Sequence, residues 1–309
     1  MTNFEVIMIG SPCIDEYYTL DSPLAMGEKA LGAFINNKIG GMISNAAAVI
    51  ASYGVRTALI DTINHSNNSN LLIDEMKKLC VDTSMVSYDE GLTDVKCLIF
   101  LYKGERSIVV VKNNKTHLAF TPHQEQRIME AKALYSTIYE MELYDDAPLL
   151  LKKARERDVE IVFDVEQGSL SRNKSDFKYL NNASIIFINE GGCDALVSCY
   201  GSTVFERIIE NGTIIVKTRG AKGCSVMCKD EEDFISPAFP VERIDTTGAG
   251  DTFNSSFLYG ILQKWSLKEC ARFANGAAGR AITFLGAQSG ACGLESVKVF
   301  IESFNMTKH

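Results

Sequence analysis

Short apolar runs alternate with stretches of helical period along this chain. Residues 4–10, FEVIMIG, form an unbroken apolar run that stops at Gly10, the pattern of a strand buried on both faces. Residues 41–53, GMISNAAAVIASY, are rich in small residues and run into Gly54. That predicts a helix closed by a glycine and packed closely on a sheet. Residues 55–61, VRTALID, predict the next strand, and 70–82, NLLIDEMKKLCVD, an amphipathic helix. The alternation continues with a strand over 132–141, a helix over 146–158, strands over 159–165 and 183–190, a helix over 203–212 and a strand over 212–220. From 252 to 304 the pattern is mainly helical, with 267–286 as the second long helix. Strands separated by helices imply an α/β fold with a mostly parallel sheet covered on both faces.

Two segments break this pattern. Residues 14–38 contain DEYYTL and ALGAFINNK without a helical period, and 94–112, DVKCLIFLYKGERSIVVVK, read as two strands around a Lys-Gly-Glu turn. Together they predict a small β-sheet lid standing off the main sheet; the alternative is a hairpin on the edge of that sheet. The expected division is 1–13, 39–93 and 113–309 for the main body and 14–38 with 94–112 for the lid. No internal repeat, low-complexity segment or linker divides the chain.

Composition narrows the function classes. The chain has 309 residues and is 46% hydrophobic, enough for one large domain. A net charge of −8 without a long basic run argues against nucleic acid as a partner. Nine cysteines form no CxxC pair and the four histidines lie far from them in sequence, which argues against zinc. Their odd number and wide spacing fit reduced thiols in a cytoplasmic protein. The opening MTNFEVIMIGSPCIDE lacks a basic segment followed by a long apolar one, and no run approaches ~18 apolar residues. Neither a signal peptide nor a membrane span is expected.

The stretch RIDTTGAGDTFNSSFLYGIL, 243–262, carries the most specific chemistry. Gly248 and Gly250 free the backbone from Cβ clashes, so successive N–H groups can converge on one point. A helix starting near Asp251 adds its positive end. Such a nest suits a phosphate, or the charge growing on a phosphoryl group in transfer. Asp251 at its mouth can accept a proton from a hydroxyl, or act merely as a helix N-cap. No GxGxxG follows the first strand and no GxxxxGK[ST] is present, which sets aside the Rossmann and P-loop devices.

DTTGAGDTFNSSFLYGIL closely resembles the C-terminal signature of the ribokinase-like (PfkB) carbohydrate kinase family, and GGMISNAAAVIASYG, 40–54, resembles its N-terminal signature. GSPCIDEY after the first strand and TRGAKG at 218–223 are weaker matches, and all four occur in family order. The resemblance implies a three-layer αβα sandwich with a lid. It implies ATP as phosphoryl donor, Mg²⁺ as cofactor and a sugar hydroxyl, mainly a primary alcohol, as acceptor. Asp251 would be the base, and the amides of Gly248, Ala249 and Gly250 the anion hole. Asp15, Gly40, Gly41 and Asn45 would hold the sugar, together with Glu140 or Glu142, with Glu140 preferred. Asn189, Thr218, Gly220, Gly223 and Asn275 would line the nucleotide side.

The chain departs from the family at two places. The family's Asn-x-x-Glu after a strand, which organises Mg²⁺, reads NEGGCD here, with Gly192 at the Glu position and Glu190 or Asp194 as substitutes. A monovalent cation such as K⁺ would use Asp245 and the carbonyls of Thr247, Ala281, Phe284 and Gly286, but a position that often supplies a serine oxygen is Gly290.

Other readings differ in what the lid must supply. A nucleoside kinase needs an aromatic lid, for which Tyr17, Tyr18, Phe34, Phe100 and Tyr102 are candidates. A phosphosugar kinase needs converging cations, for which Lys103 and Arg106 stand on the lid turn. A catalytically silent sugar-binding protein would keep the fold alone. An open lid edge implies a homodimer through the lids.

Overall fold

The computed structural model describes residues 5–103, 105–170 and 175–306. Gly104, at the centre of the expected Lys-Gly-Glu turn, lies outside them, as does Phe4 of the first apolar run. The strands are β1 (Val6–Ile9), β2 (Cys13–Leu20), β3 (Gly32–Gly40), β4 (Thr57–Ile63), β5 (Val81–Tyr88), β6 (Lys96–Tyr102), β7 (Glu105–Val111), β8 (Ala133–Thr137), β9 (Glu160–Val165), β10 (Ile185–Ile188), β11 (Ile214–Thr218), β12 (Cys224–Met227) and β13 (Phe234–Ser236). The helices are α1 (Met42–Ser52), α2 (Asn67–Lys78), α3 (Pro122–Met129), α4 (Ile138–Glu142), α5 (Ala147–Arg155), α6 (Phe177–Leu180), α7 (Glu190–Tyr200), α8 (Val204–Glu210), α9 (Ala249–Leu262), α10 (Leu267–Ala281) and α11 (Leu294–Met306).

Nine strands form the main sheet in the order β13-β12-β11-β10-β9-β8-β1-β4-β5. Pairing is parallel from β11 through β5, and only β12 runs against the rest, antiparallel to both β11 and β13. The apolar run of β1 serves two cores, because alternate side chains leave opposite faces of a strand. Val6 and Met8 pack with α1, α9 and α10, while Ile7 and Ile9 pack with α3, α4 and α5. This is the three-layer sandwich.

The second sheet, ordered β3-β2-β6-β7, is separate from the first, so the edge-hairpin alternative is set aside. Its strands β2 and β6 pair in parallel and both outer pairs are antiparallel. It leaves the body directly after β1 and returns directly before α1, which places it above the C-terminal ends of the parallel strands.

Several expected elements change character. The strand over 132–141 ends at Thr137, whose Oγ1 accepts the Glu140 N–H at 3.1 Å and starts the one-turn helix α4. The helix over 70–82 stops at Lys78, Cys80 turns the chain with φ 62°, and the remaining apolar residues open β5. Helix α7 forms despite its paired glycines because Asn189 caps it, accepting the Gly192 N–H at 2.8 Å. Gly54, at φ 83°, closes α1 as expected. Among the described residues no helix is long and apolar enough to cross a membrane.

Candidate active site

Helix α9 begins without a side-chain cap, at Gly248 with φ 75°. A Cβ there would lie 1.9 Å from the Ala287 carbonyl oxygen, so this glycine is demanded by conformation and by packing. Gly250 differs: a Cβ would meet nothing within 4 Å, and the residue faces open space. The protein needs Gly248 to build the turn, whereas Gly250 leaves room beside it. The Ala249 N–H turns back to the Thr246 carbonyl at 3.3 Å, so the outward donors of this turn centre on the first residues of the helix after it.

Asp251 sits three positions into this opening with 9% of its surface exposed. Its Oδ2 accepts a hydrogen bond from Asn45 Nδ2 at 2.8 Å across 206 residues of sequence. Burial pushes its carboxyl up to about 7, the Asn45 hydrogen bond opposes this, and the charges of Glu166 and Asp15 add to it. Asn45 Oδ1 is buried and has no hydrogen-bond partner among the described residues. It is a ready acceptor for a hydroxyl brought next to Asp251.

The Gly-Gly pair shapes the other wall. A Cβ on Gly40 would lie 2.2 Å from Asp15 Oδ2, so only glycine lets β3 pass the Asp15 carboxylate. Gly41 takes φ 107° and turns the chain from β3 into α1. Asp15 is itself buried, which raises its carboxyl; hydrogen bonds from the Cys13 and Cys97 thiols and the Lys38 charge pull the other way.

Two cavities share a wall at Glu166 and Gly168, and neither wall includes Asp15, Asn45 or Asp251. One of about 330 Å³ lies between the small sheet and the main body, with Gly41, Met42, Ile43, Tyr139 and Glu140 in its wall. The other, about 520 Å³, is lined by Asn189, Thr218 and Gly220. A model described as pfkB family carbohydrate kinase matches residues 3–292.

The chain belongs to that family.

Ribokinase from Bacillus subtilis is 26% identical over 290 residues, covering 92% of this chain and 95% of its own. Ribokinase from Arabidopsis thaliana, solved with ribose and ATP, superimposes with a TM-score of 0.83 at 20% identity, over 97% of this chain and 99% of that one. A putative ribokinase II from E. coli, solved with ATP and Mg²⁺, gives a TM-score of 0.78 at 17% identity, over 97% and 99%.

Within this kinase the structure separates the two acids at 140 and 142. Glu140 reaches the smaller cavity, where burial and the charge of Asp61 push its carboxyl up to about 7 against the pull of Lys115. Glu142 instead accepts from Ser175 Oγ at 3.1 Å. Lys115 is buried; its Nζ donates to Asp61 Oδ1 and to Ser11 Oγ, the latter at 2.7 Å. Sequence reading had no signal for this pair, since neither residue belongs to a motif.

The nucleotide-side residues split in a similar way. Asn189, Thr218 and Gly220 share the larger cavity. Gly223 is held by packing, since a Cβ would lie 2.1 Å from the Ser236 carbonyl oxygen. Asn275 is buried, not solvent-facing, and its Nδ2 donates to Ser236 O and Oγ, each at 3.1 Å, which braces α10 against β13.

Gly192 is explained by its neighbours: a Cβ would lie 2.5 Å from the Val165 carbonyl oxygen and 2.9 Å from Ile188 Cγ1. Glu190 and Asp194 are exposed on α7. The carboxylate nearest the junction comes from the next residue of the β9 end, Glu166, whose Oε1 accepts Asn189 Nδ2 at 3.2 Å. Burial raises Glu166 and that hydrogen bond restrains the rise. Behind it Asp164 Oδ2 accepts Asn254 Nδ2 at 2.9 Å and Tyr135 Oη at 3.3 Å. Glu166 was absent from the sequence candidates because its role depends on the β9–β10 pairing.

Of the cation candidates, Asp245 Oδ1 accepts the Thr247 N–H at 2.9 Å and hydroxyl at 2.7 Å, and Oδ2 accepts the Gly286 N–H at 3.0 Å. Burial would raise Asp245, but these donors outweigh it and hold the carboxyl low. The Ala281 carbonyl accepts Ser289 Oγ at 3.0 Å, and Phe284 is exposed. At Gly290 a Cβ would lie 2.0 Å from Thr252 Oγ1, which leaves no room for a serine side chain.

On the small sheet, Tyr18 packs against Phe34 and Phe100, with ring centroids 5.7 and 5.9 Å apart. Strand alternation puts this cluster on the face opposite Asp15. Arg106 Nη1 donates to Thr247 Oγ1 at 2.7 Å, tying the lid to the loop before α9.

Proposed function

We propose that this kinase transfers the γ-phosphoryl group of ATP to a sugar hydroxyl, with the sugar in the smaller cavity beneath the lid and ATP in the larger one. The observation that carries this reading is the Asn45–Asp251 hydrogen bond, which joins the two glycine motifs around one buried acid. Asp15, Asn45 and Glu140 offer acceptors, and one amide donor, for vicinal hydroxyls. Asp251, once ionised, takes the proton of the attacking hydroxyl as the oxygen bonds to phosphorus. The amides of Gly250 and Asp251 that follow Gly248, and not that of Ala249, which is held by the Thr246 carbonyl, face the charge that gathers on the transferring group.

The larger cavity also fits a hard cation, since Glu166 and Glu190 present carboxylate oxygens on one wall. Glu166, with Asn189 orienting it, would hold Mg²⁺ or its waters in place of the acid absent at Gly192. When bound, the ion neutralises phosphate charge. Glu166→Gln is expected to weaken Mn²⁺ binding to the ATP-loaded protein by about 10–100-fold. Electron paramagnetic resonance of free Mn²⁺ reads this directly; unchanged affinity would remove Glu166 from the metal site.

ATP consumption across a panel of sugars and nucleosides tests the reaction. Turnover with a sugar is expected. Turnover with nucleosides alone would move the acceptor class, and binding without any turnover would make the protein a silent sugar binder. Tyr18, Phe34 and Phe100 face away from Asp15 and Tyr17 alone of the aromatic candidates shares its face, so the lid offers one ring and not a sandwich, which favours a sugar over a base. Arg106 is engaged with Thr247, which weakens the phosphosugar reading.

The lid also bears on assembly. Strand β7 is an edge strand with Ile108, Val109, Val110 and Val111 all at least 40% exposed. An apolar edge of this kind pairs readily with a second copy. The expected mass in solution at micromolar concentration is that of two chains, and Val109→Lys is expected to reduce it to one. Light scattering measures both, and a wild-type monomer would overturn the dimer.

A further inference from the structure

Three groups from two strands of the lid converge beside the smaller cavity. Cys13 and Asp15 leave the same face of β2, and Asp15 is paired in register with Cys97 on β6. Cys13 Sγ lies 3.5 Å from Cys97 Sγ and 3.3 Å from Asp15 Oδ1. One donor atom from each residue falls within 4.8 Å of the other two, and among the described residues no other such group of three occurs. Cys13 and Asp15 are buried, while Cys97 is half-buried and, with Cys13, lines the cavity.

From this geometry we propose a binding site for a thiophilic divalent cation, Zn²⁺ above all, formed by Cys13, Asp15 and Cys97. A tetrahedral zinc with bonds of about 2.3 Å to sulfur and about 2.1 Å to oxygen holds two sulfurs about 3.8 Å apart and a sulfur–oxygen pair about 3.6 Å apart. The observed separations are within a few tenths of an ångström of both, so the ion enters with little movement of the strands. Two thiols and one carboxylate are a soft donor set that selects Zn²⁺ over Mg²⁺. Binding releases both thiol protons to solvent and leaves a net charge of −1 on the ligated ion, near the Lys38 ammonium that already acts on Asp15. The cavity gives the ion its entry path and leaves the fourth position to water.

The site has a consequence for catalysis, which rests on the reading of Asp15 as a sugar ligand. A carboxylate oxygen bound to zinc no longer accepts sugar hydroxyls, and the zinc-bound water occupies their space. Zn²⁺ and sugar therefore exclude one another, and Zn²⁺ inhibits by raising the sugar KM.

The experiment titrates the reduced, chelator-stripped full chain with Co²⁺ and then displaces it with Zn²⁺. One Co²⁺ per chain with a sulfur-to-cobalt charge-transfer band is expected, lost in Cys13→Ser and in Cys97→Ser and kept in Cys80→Ser. In the wild type, one equivalent of Zn²⁺ is expected to protect Cys13 and Cys97 from alkylation, mapped by mass spectrometry; this needs no variant to fold. Absence of the band, or no protection at these two thiols, overturns the site. With the acceptor found by the panel, saturating Zn²⁺ is expected to raise the sugar KM tenfold or more, measured against the metal-free rate. A cysteine-dependent metal that leaves the sugar KM unchanged would uphold the site and sink the assignment of Asp15 to the sugar.

Discussion

Asp251→Asn is expected to lower kcat by about 10²–10⁴-fold while ATP and sugar still bind, because the amide keeps the shape and the partner of the carboxylate but cannot take a proton. The wild-type kcat/KM should rise about tenfold per pH unit below about 7, where the buried carboxyl ionises, and then level off. The same variant carries an opposite expectation for stability. The Asp251 carboxyl titrates near 3.8 in a solvated chain and near 7 in the fold, so the folded state is the one that resists ionisation. Its contribution is fully present below 3.8 and is lost as pH rises through about 7. Asparagine does not ionise. At pH 8 the variant should therefore be the more stable of the two, by an amount on the order of a few kcal/mol, and the gap should close at pH 3.5. Stopped assays over pH and thermal unfolding at the two pH values read both effects. Wild-type turnover in Asp251→Asn would remove it as the base.

Gly248→Ala is expected to cost both fold and function. The left-handed conformation alone disfavours alanine by roughly 1–2 kcal/mol. The Cβ also enters the Ala287 carbonyl, which is backbone and moves only if the 286–290 loop shifts. A shifted turn no longer aims its N–H groups, and loss of such donors reduces kcat by about 10²–10³-fold. Gly250→Ala provides the contrast. It meets nothing in the protein and gains helix propensity, so stability should hold or rise by up to about 1 kcal/mol while activity falls. Equal losses of stability in the two variants would mean that Gly250 serves packing and not an incoming phosphoryl group.

The two glycine motifs were legible because local backbone conformation and side-chain chemistry are written in adjacent residues. Gly248, Gly54 and Gly41 all take left-handed or unusual torsions where the chain turns, as their positions next to helix ends imply. The strand at 132–141 misled because its apolar run continues past the point where Thr137 captures the Glu140 N–H. The helix expected over 70–82 overran its end at Lys78 because an apolar Leu-Cys-Val run satisfies a helix end and a strand start alike. Asn275 was read as nucleotide-facing, and its Nδ2 is held by Ser236, a partner 39 residues away that no local pattern reveals.

Zinc was set aside on the spacing of the cysteines, and spacing along the chain is the wrong measure once strands pair. Cys13 and Cys97 are 84 positions apart and become neighbours because β2 and β6 lie side by side in the lid. Glu166 reaches the junction of the cavities by the same route, through the pairing of β9 with β10. The amino-acid sequence alone determined the alternating α/β order, the lid segments and the family signatures, since periodicity and torsional demand act over a few residues. Which buried groups share a dielectric, and so which acids are raised toward neutrality and which thiols can share an ion, was decided only by the tertiary structure, because charge and coordination depend on distance in space.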